Sequence, residues 1–197
     1  AETAFETMVG AILAQNVSWT NAAQAVRNLD AAGMLDPCLL AAAEAGDIAP
    51  LIVPSRFYNQ KTKRIREFAR VYVAEYRADP AVMAAVETHA LRERLLALRG
   101  PETVDTILLY ACGKPVFVVD AYTRRIFSRY GLLPEGASYD RMQCLFTENL
   151  VPDGELFNDY HAQIVCLAKT VCRKTPLCSR CPIRVVRGPL RCAGARA

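Results

Sequence analysis

The chain has 197 residues, of which 52% are hydrophobic and 22% charged; this composition excludes wholesale disorder and supports a sizeable core. Its 24 basic and 20 acidic side chains leave a formal charge of +4, a mild bias toward an anionic partner. No run of about 18 apolar residues occurs, so no membrane-spanning helix is expected. The first six residues lack the basic head and apolar stretch of a secretory signal, and an intracellular protein is expected.

The predicted elements are almost all helical. Ala22, Ala25, Val26 and Leu29 fall at helical spacing. Between Asn59 and Tyr76, Ile65, Phe68, Ala69, Tyr72, Val73 and Tyr76 mark one buried face. Leu91, Leu95 and Leu98 repeat the pattern, as do Val104, Ile107, Leu108 and Ala111. Pro115–Val119 is the one plausible extended stretch, too short and isolated to found a sheet. Phe157, Tyr160, Ile164, Leu167, Ala168 and Val171 form the last helical face. Pro and Gly set breaks at Gly33–Pro37, Ile52–Ser55, Asp79–Pro80, Arg99–Pro101, Gly113–Pro115 and Gly131–Ala137. The reading is all-α, about ten helices by this pattern. It has two helical lobes, residues 1–114 and 115–197, and an irregular segment beyond Pro176.

Four of the eight cysteines crowd together. Cys172, Cys178, Cys181 and Cys192 read C-x5-C-x2-C-x10-C. A disulfide framework is rarely so lopsided in a chain this long. Four soft thiolates suit an iron–sulfur cluster or zinc, with no metal as a third reading, and the ligand set alone does not choose between them. A single CxxC pair with wider arms leans toward [4Fe–4S]. Arg173, Lys174, Arg180, Arg184, Arg187 and Arg191 surround the thiols. They read equally as a phosphate-binding loop and as a solvated basic tail.

A second constellation runs from Leu98 to Asp120. One helix (Thr88–Leu98) stops at a tight turn, and the next begins after Gly100 with Pro101 at its first position. A helix start offers unpaired N–H groups that can receive a phosphate, although most such turns are only connections. Asp120 follows four apolar residues and precedes a new helix. It reads most simply as an N-cap and otherwise as a carboxylate held at the lobe boundary.

These residues resemble the helix–hairpin–helix DNA glycosylases of the endonuclease III superfamily, in particular the branch with 3-methyladenine-type enzymes. The match rests on Gly10–Asn16 with Trp19, on Phe57-Tyr58-Asn59-Gln60-Lys61, on Leu98–Asp120, and on His161–Cys192. The resemblance implies a barrel lobe with the hairpin and a second lobe with the acid and a [4Fe–4S] loop. Double-stranded DNA with damaged bases is expected to lie between them, and a monomer is expected. It implies Asp120 as the catalytic carboxylate. Gln15 becomes the side chain that fills the emptied duplex position, and Phe57 an intercalating wedge. Arg99, Gly100, Thr103, Tyr58 and Lys61 become DNA contacts. His161 becomes a structural hydrogen-bonding residue.

Tyr58, Trp19 and Tyr110 are candidates to stack on an extruded base, and each reads as readily as a core aromatic. Phe57 has the same core alternative. Lys61, Lys63, Arg64 and Arg66 line the start of one helix and read as phosphate contacts or a solvated face.

The chain departs from the family pattern at three places. Leu98 stands where the hairpin's first glycine is expected, with Arg99 as the middle residue, so a distorted turn is expected. Glu102 occupies the position of the lyase lysine, and a carboxylate cannot form a Schiff base. Cys192 follows a longer gap than usual. The expected reaction is therefore excision of a damaged base with water as nucleophile, Asp120 stabilising the sugar cation and Glu102 as a second carboxylate. The rival readings are a lyase whose amine is Lys61 or Lys114, a lesion-binding module without chemistry, and a zinc-stabilised helical DNA-binding protein.

Overall fold

The computed structural model describes residues 2–184. Those residues form α-helices joined by turns, with two single 3-10 turns and no strand. Cys192, Arg187 and Arg191 lie outside the described residues. The chain divides into two compact units, Ala1–Lys114 and Pro115–Ala197. No described helix is long and apolar enough to cross a membrane.

The first unit contains α1 (Ala4–Leu13), α2 (Trp19–Ala31), α3 (Pro37–Ala42), α4 (Ala45–Ile48), α5 (Tyr58–Tyr76), α6 (Pro80–Ala85), α7 (Thr88–Leu96) and α8 (Pro101–Tyr110). Side-chain caps start many of them: Thr3, Ser18, Asp36, Asp79 and Glu87 each accept a backbone N–H of the first turn. Pro37, Pro80 and Pro101 fill first-turn positions that need no N–H.

Helix α1 is apolar almost all round, and Met8 through Leu13 are buried without interruption. Such a helix has to be central, and α1 packs on α2, α5 and α8. Helix α5 is amphipathic. Its Tyr72 ring stacks on Phe5, centroids 5.5 Å apart, and on Phe68 at 6.2 Å.

Helices α7 and α8 form the hairpin. The N–H groups of Leu98 and Arg99 both bond to the Leu95 carbonyl at 2.9 Å. No residue of the turn takes a positive φ, and Gly100 itself sits at φ −70°. The expected distortion at Leu98 does not occur, because this turn asks for no left-handed residue. Below the turn, fully buried Asp105 on α8 binds Arg92 on α7 through two contacts of 2.7 and 3.1 Å. Gly113, at φ +64°, closes α8, and the Lys114 N–H returns to the Leu108 carbonyl.

The second unit contains α9 (Ala121–Arg129), α10 (Tyr139–Thr147) and α11 (Gly154–Thr170). Its core is built on Pro115–Val119, which pairs with no strand. Val116, Phe117, Val118 and Val119 are all buried. Phe117 stacks on Phe146 at 3.7 Å and meets Phe157 and Tyr160 edge-on. Buried backbone groups need partners, and here side chains supply two of them. Gln143 donates to the Phe117 carbonyl at 2.7 Å, and the Tyr139 hydroxyl accepts the Val119 N–H at 3.4 Å. The extended run ends, fixed, at Asp120.

Removing Asp105 takes from the partly buried Arg92 the carboxylate that offsets its charge. Asp105→Ala is expected to lower stability by roughly 3 kcal/mol, read as a fall in the urea midpoint with an unchanged slope.

Candidate functional site

Asp120 is the N-cap of α9. Its Oδ1 accepts the Thr123 N–H at 2.7 Å and the Thr123 hydroxyl at 3.0 Å. Thr123 is itself fully buried. Oδ2 faces Nε2 of His161, on α11, at 3.5 Å. Burial alone would raise the carboxyl's pKa. The His161 contact and the bonds from Thr123 outweigh it and hold the group below the usual carboxylate range. Asp120 is therefore an anion at neutral pH, with one oxygen engaged by its own helix and the other beside a histidine. His161 is buried, with its ring edge-on to Phe117.

Helix α9 also reaches the cysteine loop. Arg125 donates to the carbonyls of Ala168 and Cys172, at 3.0 and 2.8 Å, capping the end of α11 with a cation. Arg129, one turn on, donates to Cys172 Sγ at 3.3 Å and to the carbonyls of Arg173 and Lys174. The Tyr130 hydroxyl lies 3.9 Å from Cys181 Sγ. Cys172 is buried, Cys178 and Cys181 are half-buried, and none of the three is in a disulfide. Among the described residues no three His, Cys, Asp or Glu side chains converge as a metal-ligand set, and Cys192 lies outside those residues. The donor chemistry nonetheless suits a soft metal centre: three unbridged thiols close in sequence, with an N–H at the Cys172 sulfur and an O–H near that of Cys181.

In the first unit, α5 carries much of the expected DNA-facing set. Phe57 precedes it at φ 47°, after Arg56 at φ 54°. Phe57 is 61% exposed, Trp19 63% and Tyr58 38%. Two adjacent non-glycine residues in left-handed conformation are costly, and such strain concentrates at functional positions. Tyr110 is half-buried at the end of α8. Glu102 is exposed in the first turn of α8, and Gly100 is exposed at its N-cap.

Three expected DNA contacts face inward instead. Lys61 is 2% exposed, and its Nζ donates to the carbonyls of Leu13, at 2.7 Å, and Ser55, at 2.5 Å. Burial and then the charge of Arg64 bring its pKa down to about 8, which leaves it protonated at neutral pH. Arg99 is buried; its guanidinium donates to the Glu67 carboxylate at 3.0 Å and to the Arg64 carbonyl. Thr103 is buried in α8. Lys63 is exposed, and Arg66 is half-buried, 3.9 Å from Glu44.

Sequence reasoning missed Thr123, Arg125 and Arg129 as partners of the site. The Asp-x-x-Thr spacing from Asp120 to Thr123 is a legible cap signal, and the i, i+4 pair of arginines marks one face of α9. Nothing in the sequence says what that face touches.

Comparison with known proteins agrees with this architecture. A protein of Methanocaldococcus jannaschii, provisionally named a DNA repair glycosylase, is 42% identical over 187 residues, covering 93% of this chain and 85% of that protein. The crystal structure of the H. pylori 3-methyladenine DNA glycosylase MagIII bound to 1,N6-ethenoadenine superposes with a TM-score of 0.71 at 28% identity, over 84% of each chain. An endonuclease III in a non-covalent complex with DNA shares the fold, with a TM-score of 0.82 at 18% identity, over 98% of this chain and 85% of that one. The profile of the HhH-GPD superfamily base excision DNA repair proteins matches residues 9–152, and the chain belongs to that superfamily.

Proposed function

We propose that the protein is a monofunctional DNA glycosylase that removes a damaged base with water as the nucleophile and Asp120 as its catalytic carboxylate. The observation that carries this reading is the geometry at Asp120: Thr123 fixes one carboxylate oxygen and His161 stands beside the other. When the bond from C1′ to the base breaks, its electron pair leaves with the base and the sugar becomes a cation. An anion already held in place stabilises that charge without reorganising. Oδ1 is occupied by Thr123, so Oδ2 is the oxygen available to orient the attacking water and take its proton. His161 stands at that same oxygen and keeps the carboxylate from turning.

The target atom is hidden in the duplex, so the base is extruded before it reacts. Gln15 fills the vacated position and Phe57 wedges beside it. An aromatic side chain held exposed on a strained turn suits the latter role. The Gly100 turn and the start of α8 bind a phosphate. The ethenoadenine in the H. pylori relative makes an alkylated purine the first substrate to try.

Asp120→Asn keeps the cap, since Asn is as good an N-cap as Asp, and removes the charge. Base release from duplexes carrying one alkylated, oxidised or mismatched base is expected to fall at least a hundredfold, with duplex binding unchanged. Unchanged release would remove Asp120 from the mechanism.

A lyase needs a free amine. Glu102 stands where the resemblance places the lyase lysine. The other candidates are engaged: Lys61 on two carbonyls and Lys114 on the Val86 carbonyl at 2.7 Å. Borohydride added during turnover is expected to trap no protein–DNA adduct, and strands are expected to break only after alkali. A trapped adduct would establish the lyase reading.

We further propose that Cys172, Cys178, Cys181 and Cys192 hold a [4Fe–4S] cluster that braces the C-terminal loop and takes no part in base release. The positive charge of Arg129 at Cys172 would offset part of the net negative charge of a cluster held by four thiolates. Aerobically purified protein is expected to be yellow-brown with about four iron and four sulfide per chain. Cys178→Ala is expected to lose both. Colourless protein carrying one zinc would select the zinc reading.

A further inference from the structure

The geometry points to Arg64 as a positioning residue that fixes the amide of Gln15 with its NH2 end outward, and to Arg99 as the anchor that ties this arrangement to the hairpin. The inference rests on the reading of Gln15 as the side chain that enters the duplex.

One ridge of α5 carries the arrangement. Lys61, Arg64 and Glu67 stand three residues apart, so they lie along one side of the helix. Lys61 clamps the end of α1, through the Leu13 carbonyl, to the turn at Ser55. Those two points are where the chain leaves for Gln15 and for Phe57. The Arg64 guanidinium donates to Oε1 of Gln15, across 49 residues of sequence. Arg99, from the hairpin turn, donates to the backbone carbonyl of Arg64 and to the carboxylate of Glu67. A buried arginine at the hairpin's middle position thus grips the same helical turn that holds Gln15.

Arginine has donors only. A glutamine bonded to it must turn its carbonyl oxygen inward, so its amide NH2 is the end left to face a ligand. Gln15 is half-buried just beyond α1, beside Asn16 at φ 56°, and among the described residues its side-chain hydrogen bond is to Arg64. A free glutamine samples many rotamers and both amide orientations, and ordering it on binding is unfavourable. Held by Arg64, it offers two N–H donors to the carbonyl oxygens on base edges lining the emptied position. The hairpin and the inserted residue then act as one rigid piece, joined through α5.

The test is a double-mutant cycle on DNA binding, read by fluorescence anisotropy. The probe is a duplex with a tetrahydrofuran abasic-site analogue, compared with the same duplex undamaged. Gln15→Leu is expected to weaken binding to the abasic duplex and to leave the undamaged duplex alone. Arg64→Leu is expected to weaken abasic binding by roughly tenfold, the scale of one charge-assisted hydrogen bond. In the Gln15→Leu background the same change is expected to cost no more than it costs on undamaged duplex, where only the lost cation is felt. Arg64→Lys keeps a cation and a donor and is expected to recover most of the loss; it carries the comparison if the leucine variant does not fold. An equal cost of Arg64→Leu with and without Gln15 would overturn the positioning role while leaving Gln15 in the duplex. No effect of Gln15→Leu on abasic binding would overturn the reading beneath it, and the proposal with it.

Discussion

The second unit is organised around a single carboxylate that must be both a helix cap and an anion. Capping Thr123 holds Asp120 in one rotamer, and the donors that hold it also keep it charged despite its burial. Neither demand compromises the other, because a cap engages one carboxylate oxygen and leaves the second. The apolar run before Asp120 serves the same end. Phe117 drives into the aromatic core, and side chains of α10 satisfy the run's backbone. The acid is therefore delivered by a segment that cannot slide, although it is neither helix nor strand.

The first unit solves a different problem with the same economy of means. Its exposed aromatics and left-handed turn at Phe57 are unfavourable in isolation. The turn before Phe57 is held by the buried Lys61 ammonium, which binds the carbonyls of Ser55 and Leu13 at once. A buried charge of this kind is tolerated only when its donors are well matched. Lys61 meets that condition and so joins the end of α1 to the turn at Ser55. The buried Arg92–Asp105 pair has the same standing in the hairpin.

The helices were legible because each buries one stripe at a 3.6-residue period, and the caps were legible because Ser, Thr, Asp and Glu precede those stripes. Ala22, Ala25, Val26 and Leu29 are all buried on α2, as the spacing requires. Asp120 was legible as a cap from its position after the apolar run. The inward cations were not. Lys61 finds its carbonyl at Leu13, 48 residues away, and Arg99 finds Arg64 at a separation of 35. Cations in a helical register default to the surface, and only tertiary packing reverses that. The turn at Leu98 misled for a related reason. A glycine pattern encodes one way to close a hairpin, and the backbone here uses another. The outermost cysteine of the cluster reading, Cys192, lies beyond the described residues.

That turn has an effect on the denatured chain. Glycine samples more backbone conformations than any other residue, so a hairpin built on it loses more entropy when it folds. With Leu98 in a region open to any L-residue, the unfolded ensemble is narrower at no strain to the native one. Replacements of that kind typically raise stability by about 0.4–1 kcal/mol. The hairpin thus gains thermal margin from a side chain placed at its tightest point.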